Sequence, residues 1–251
     1  MLFLRSLVLN VFAYTTLALG CVCASVIGIF SKKATIKMWT YGFLPFLRVG
    51  LKYVGQIEVE VRGTQNIASV PALYASKHES ALECYMLATI VKDMAFVLKK
   101  ELTYIPIFGW AQSFYGMIAV NRASGGAAMK GMLKSVKQRI AEGRSVAIFP
   151  EGTRMKPGSK SNYKTGLLFL AQNIDVPVIP VALNTGMFWA KNSFLRYQGK
   201  VIIEFLQPMP DNMDKKTYMA LLEERIESKC RELNAETVKN YPQTAANLVK
   251  E

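Results

Sequence analysis

The chain has 251 residues, is 51% hydrophobic, and carries a formal net charge of +13 with a single histidine. That is enough apolar material for one large α/β domain, and the positive balance suits an anionic partner: a phospholipid surface, a phosphorylated substrate or a nucleic acid. The spacing of Cys21, Cys23, Cys84 and Cys230 excludes a disulfide framework and a zinc site, and points to a reducing compartment.

From Ser6 to Ser31 no residue is charged. As a helix this run outreaches the about 20 residues that cross a bilayer core of roughly 30 Å, and it is longer than the apolar part of a secretory signal peptide. Arg5 precedes it and Lys32, Lys33 and Lys37 follow. The positive-inside rule then puts the main domain on the cytoplasmic face of the inner (cytoplasmic) membrane, against anionic lipids. The next stretch, 38–53, is rich in aromatic residues but contains Pro45 and Arg48. It is too short and broken to span, so it lies in the interface as a second helix, or forms with the first a hairpin sunk in one leaflet. Residues 1–54 therefore read as a membrane anchor.

Residues 56–62 alternate polar and apolar, which is the pattern of a half-buried strand. Apolar runs at 72–76, 94–98, 116–120, 145–149, 177–183 and 201–205 follow, with helical patterns between several of them. The expected fold is α/β: a mostly covered sheet of about seven strands with flanking helices, over 55–235, beside the amino-terminal anchor. In 124–142 and 214–234, apolar residues at helical spacing mark two amphipathic helices whose basic faces are solvated surface. Residues 236–251 read as a loosely held tail.

His78 is the one side chain whose ordinary pKa makes it a base at neutral pH. It stands on the turn after the strand 72–76. Ser80 and Glu83 form a Ser-x-x-Glu capping box, with Ser80 as N-cap and Glu83 in the first turn of a helix. From a continuous helix, positions five apart would not meet. From the turn, His78 can fold back so that Glu83 holds one ring nitrogen and leaves the other free. Cys84 beside it could be a nucleophile, but a cysteine in a helix more often packs into a core. Phe149-Pro150-Glu151-Gly152-Thr153-Arg154 follows another strand. Its glycine allows close backbone approach, Arg154 and the Thr153 hydroxyl suit phosphate oxygens, and Glu151 suits a glycerol hydroxyl. Arg122 and Lys99 close two further strands, at the edge where α/β sheets bind ligands.

Together these blocks resemble the PlsC-type glycerolipid acyltransferase family, the 1-acyl-glycerol-3-phosphate acyltransferases. The resemblance covers roughly 56–206. It rests on His78-x4-Glu83, on Gly116 to Arg122 after Ile105-Pro106-Ile107-Phe108-Gly109, on Phe149 to Arg154, and on Val176 to Val181. Glu83 stands where the family has aspartate. The resemblance implies that His78 takes the proton from an acceptor hydroxyl and that Glu83 orients it. Arg122 and Arg154 hold the acceptor phosphate, and Glu151, Gly152 and Thr153 shape the acceptor site; Lys99 is a further substrate-binding candidate by its strand-end position alone. The acceptor would be lysophosphatidic acid, the donor acyl-CoA or acyl carrier protein, and no cofactor or metal is implied. Rival readings are an acyltransferase for another lysolipid, such as a lyso-ornithine lipid, and a non-catalytic lipid or acyl-carrier binding protein. A nucleic-acid binder is disfavoured, because no module of that kind is present and the anchor argues against it.

Overall fold

The computed structural model describes residues 1–121, 125–211 and 213–249. The chain opens with α1 (Leu2–Phe30) and α2 (Lys32–Met38), continues through a π-helical turn (Trp39–Phe43), and reaches α3 (Leu44–Tyr53). Ser31 breaks α1 from α2. Its backbone is extended and its hydroxyl accepts from Ala34 N–H at 3.2 Å, capping α2. The stretch 38–53 is helical through Pro45, which the sequence reading took as an interruption. Pro45 sits in the first turn of α3, where a missing N–H does no harm. The wider turn before it, with Leu44 N–H reaching the Trp39 carbonyl, absorbs the proline ring. α3 folds back along α1 as a hairpin: Phe43 lies against Gly20, Phe12 lies against Gly50, and Phe12 meets Phe46 at 5.4 Å.

The α/β part contains β1 (Ile57–Arg62), β2 (Leu73–Ser76), α4 (Leu82–Ile90), β3 (Ala95–Lys99), α5 (Phe108–Tyr115), β4 (Ile118–Val120) and α6 (Gly125–Ala141). It continues with β5 (Val146–Ile148), α7 (Gly166–Ala171), β6 (Val178–Leu183), α8 (Thr185–Phe188), β7 (Gly199–Phe205) and α9 (Lys215–Asn240). The seven-stranded sheet has the order β1-β7-β6-β2-β5-β3-β4. Neighbours run parallel except β6 and β7. The carboxyl ends of β2, β3, β4, β5 and β6 therefore share one edge, which is where ligands bind in such sheets.

Period-two alternation sorts the strand side chains onto two cores. Tyr74, Ile179, Val181, Val201, Ile203 and Phe205 face α1, α3, α4 and α8. Leu73, Ala75, Val146, Ile148, Val178 and Ile202 face α6, α7 and α9. The first core also contains Leu9, Ala13, Cys21 and Ala24 of α1 and Leu44, Leu47 and Leu51 of α3. The amino-terminal hairpin is thus continuous with the sheet's own core. Polar atoms fasten it too: Arg196 N–H donates to Ser6 Oγ at 2.9 Å, Asn10 Nδ2 to the Phe194 carbonyl at 2.9 Å, and Ser25 Oγ to the Ile107 carbonyl at 3.1 Å.

Two boundaries differ from expectation. The run 116–120 yields only a three-residue strand, because Gly116 adopts φ +87 to close α5. The last helix runs on to Asn240, into the part expected to be loose. Beyond it Thr244 is buried, Asn247 Nδ2 donates to the Met187 carbonyl at 2.9 Å, and Val249 N–H donates to the Pro157 carbonyl at 3.0 Å. The tail is held by these contacts.

Candidate active site

His78 lies on the turn after β2, and α4 begins at Leu82, one residue later than a Ser80 N-cap implies, with Ala81 already in helical conformation. The Ser80 hydroxyl accepts from Leu82 N–H at 3.1 Å, so it still serves the helix end. The other half of the expected capping box is present, with Glu83 reaching back to accept from Ser80 N–H at 2.8 Å. The same carboxylate meets His78. Nδ1 and Glu83 Oε1 are 2.7 Å apart. Glu79 N–H adds a bond to Oε1 at 2.9 Å, and Thr185 Oγ1 donates to Oε2 at 2.7 Å. Glu83 is fully buried, so this set of donors fixes its orientation.

A ring nitrogen held by a carboxylate carries its proton on that side and leaves the other nitrogen as an acceptor. Among the described residues, Nε2 of His78 has no hydrogen-bond partner. The side chain is 17% exposed, so Nε2 can reach a substrate. The ring stacks on Phe149, with centroids 3.9 Å apart and planes 16° from parallel.

Glu151 reaches the site from behind. Its Oε2 accepts from His78 N–H at 2.9 Å, while its Oε1 accepts from Lys77 Nζ at 2.6 Å. Lys77 also donates to Ser161 Oγ at 2.9 Å and to Glu227 of α9 at 2.9 and 3.0 Å. Tyr163 O–H adds a bond to Glu227 at 2.9 Å. Burial works against the Lys77 charge, but the two carboxylates outweigh it and hold the ammonium above its usual pKa. Glu151 was expected to meet a glycerol hydroxyl, but both its oxygens are engaged inside the protein. Glu79 is different: Gly186 N–H donates to Oε2 at 3.0 Å, while buried Oε1 has no partner. Burial pushes its carboxyl up to about 8.

The loop after β5 carries the remaining expected residues. Gly152 has φ +69, a conformation glycine adopts without strain, and its N–H donates to the Phe149 carbonyl at 2.9 Å. Thr153 is exposed and Arg154 half-buried. Met155 N–H donates to the His78 carbonyl at 2.7 Å, tying this loop to the histidine turn. Arg154 lines a groove of about 210 Å³ together with Ala81 and Leu82 at the amino-terminal end of α4, Tyr14 and Leu17 from α1, and Leu47 from α3. Lys99 is exposed at the end of β3 and shares with His78 only the sheet edge. Arg122 lies outside the described residues. Cys84 is a free thiol beside Glu83; burial first, and that carboxylate second, push it well above the ordinary range, away from nucleophilic duty.

The sequence reading gave no role to Lys77, Thr185 or Glu227. Thr185 had a usable signal, since Asn184 and Thr185 are the first polar residues after an unbroken apolar strand. Glu227 had none, being one acid among several on a charged helix.

The sequence profile of the Acyltransferase family matches residues 58–184, from β1 to the end of β6. The 1-acyl-sn-glycerol-3-phosphate acyltransferase of Pseudomonas aeruginosa is 35% identical over 185 residues, which is 74% of this chain and 72% of that one. The chain belongs to the acyltransferase family. A chloroplastic 1-acyl-sn-glycerol-3-phosphate acyltransferase of Arabidopsis thaliana is 34% identical over 128 residues, covering 50% of this acyltransferase and 36% of that longer chain. The crystal structure of the 1-acyl-sn-glycerophosphate acyltransferase PlsC from Thermotoga maritima superposes with a TM-score of 0.72 at 22% identity, covering 94% of this chain and 98% of that one. That likeness extends the shared fold through the amino-terminal hairpin and α9, beyond the family match.

Proposed function

We propose that this acyltransferase moves a fatty acyl group from a thioester to the sn-2 hydroxyl of a 1-acyl-glycerol-3-phosphate, giving phosphatidic acid. The observation that carries the reading is the pair of His78 and buried Glu83 at 2.7 Å, which leaves Nε2 open at the sheet edge. The names of the relatives supply the acceptor. Nε2 takes the proton from the hydroxyl as its oxygen attacks the thioester carbonyl. The tetrahedral adduct collapses, the C–S bond breaks, and the departing thiolate receives the proton. A positioned base contributes about 10²–10⁴-fold to such a step.

Arg154 and, from the sequence alone, Arg122 are assigned to the acceptor phosphate, with Gly152 and Thr153 shaping the approach to it. The groove from Arg154 to α1 and α3 is lined by both polar and apolar side chains, among them Arg154, Arg196, Leu17, Leu47 and Leu51, and suits the part of the acceptor where its phosphate end meets its acyl chain. Glu151 is assigned a positioning role through the His78 backbone. Lys99 is assigned to a more distant anionic part of either substrate. The donor is acyl-CoA or acyl carrier protein, and no cofactor enters this scheme.

Attachment to the inner membrane is assigned to α1, and the cytoplasmic face to the basic residues Lys32, Lys33 and Lys37 that follow it. α1 is the one helix among the described residues long and apolar enough to cross a bilayer. One face of it, from Ser6 to Gly28, is buried within the protein, which favours lying in one leaflet over crossing. The test is phosphatidic acid formation by purified enzyme in vesicles, with lysophosphatidic acid and each donor in turn. His78→Ala is expected to remove transfer while leaving fold and membrane attachment intact. A faster reaction with a phosphate-free lysolipid, or unchanged turnover in the variant, would overturn the assignment.

A further inference from the structure

Beyond the amino-terminal hairpin, exposed large apolar side chains gather in one place. Leu102, Tyr104, Ile105, Ile107 and Trp110 all face solvent, Tyr104 at 67% and Trp110 at 57%. The other such side chains past Tyr53 are isolated in the sequence, and one of them, Phe194, packs on Phe3 of α1. A cluster this dense on one short segment marks a surface that meets something apolar.

The segment is built to hold that display. A 3₁₀ turn spans Lys100–Tyr104, closed by Thr103 Oγ1 donating to the Lys100 carbonyl at 2.6 Å. Gly109 N–H donates to the Ile105 carbonyl at 2.7 Å and Phe108 N–H to the Pro106 carbonyl at 2.7 Å. Ile107 has φ +65, a conformation that β-branched residues rarely adopt. The backbone accepts this strain at an exposed apolar side chain. Ser25 of α1 donates to the carbonyl of that same residue, buttressing it from the amino-terminal helix.

We infer that residues 102–110 form a second membrane contact that enters the same leaflet as α1. The inference rests on the membrane reading above and adds a separate element to it. Its occupant is a lipid surface with anionic headgroups. Tyrosine and tryptophan favour the headgroup level, and exposed Lys99 and Lys100 flank the segment, with Glu101 the one acid between them and the apolar cluster. Continuity points the same way, because α5 packs along α1 where exposed Val22, Val26 and Ile29 lie on that helix. The segment follows directly from β3, so its insertion keeps the catalytic edge against the lipid from which the acceptor arrives.

The test uses the full chain with Cys23→Ser and Ile105→Cys, labelled at residue 105 with an environment-sensitive fluorophore. The protein is reconstituted in phosphatidylethanolamine and phosphatidylglycerol vesicles whose acyl chains carry bromine. Strong quenching and a blue shift are expected. A second variant, Tyr104→Ser with Trp110→Ser, is expected to keep its circular dichroism and lower vesicle partition several-fold. An unquenched label on protein that floats with the vesicles would overturn this inference and leave the anchor standing; the segment would then face water or a protein. Failure of the protein to float at all would overturn both readings.

Discussion

Lys77 carries a buried ammonium balanced by Glu151 from the end of β5 and Glu227 from α9. Through Glu151 the same cluster grips the His78 backbone. Removing one member leaves uncompensated charge in the interior, which costs about 3–5 kcal/mol. Lys77→Met is therefore expected to lower the unfolding free energy by about that much in denaturant titration. Glu79 gives a pH signature. Its carboxyl, shifted up to about 8 by burial, faces Lys77, Glu83 and Glu151. Above its ordinary value of 4.5 the unfolded chain releases the proton, while the folded chain keeps it until about 8. Across that window stability falls as pH rises. Glu79→Gln removes the proton exchange, so its melting temperature is expected to drop less between pH 5 and pH 8 than that of the unaltered protein. An equal drop would assign the pH dependence elsewhere. His78 and Glu83 were legible because they sit close in sequence and their spacing carries geometry. The partners of Lys77 were not, because charge pairing between distant segments leaves no mark on local pattern.

The seven strands and the two amphipathic helices could be read at the level of elements, since period-two and 3.6-residue patterns survive burial. Two devices could not be. The π turn that lets Pro45 ride inside a helix depends on a one-residue change of hydrogen bonding. The hold of Thr185 on Glu83 depends on a residue 102 positions away in the chain. Helix approach is likewise set by single positions. A Cβ on Gly28 would overlap Cγ of Phe114 on α5 and sit 2.6 Å from its Cβ, close to the backbone where little can move. Gly28→Ala is expected to part α1 from α5 and to destabilise by about 1–3 kcal/mol, read as a lower unfolding midpoint in detergent. An unchanged midpoint would mean the two helices already pack loosely.

The molecule as a whole does not divide where composition changes. Residues 1–54 look like an anchor by hydropathy, yet Leu9, Ala13, Ala24, Leu47 and Leu51 belong to the core that covers one face of the sheet. A chain beginning at residue 55 is expected to aggregate on expression, because that face loses its cover. A soluble, folded product with native circular dichroism would show the hairpin to be separable. Sequence alone could not decide this, because the same apolar residues serve a bilayer and a protein interior equally well.

The bond between Ser6 and Arg196 joins positions 190 apart in the chain. The first helix leaves the ribosome long before its partners on Phe194 and Arg196 exist. Until they are made, the apolar cover within reach of that helix is α3 and the turn before it, which follow it closely in the chain. The hairpin is then expected to close first, by local contacts, and the segment ahead of β7 to lock onto it last, slowed by the long loop between Ser6 and Arg196.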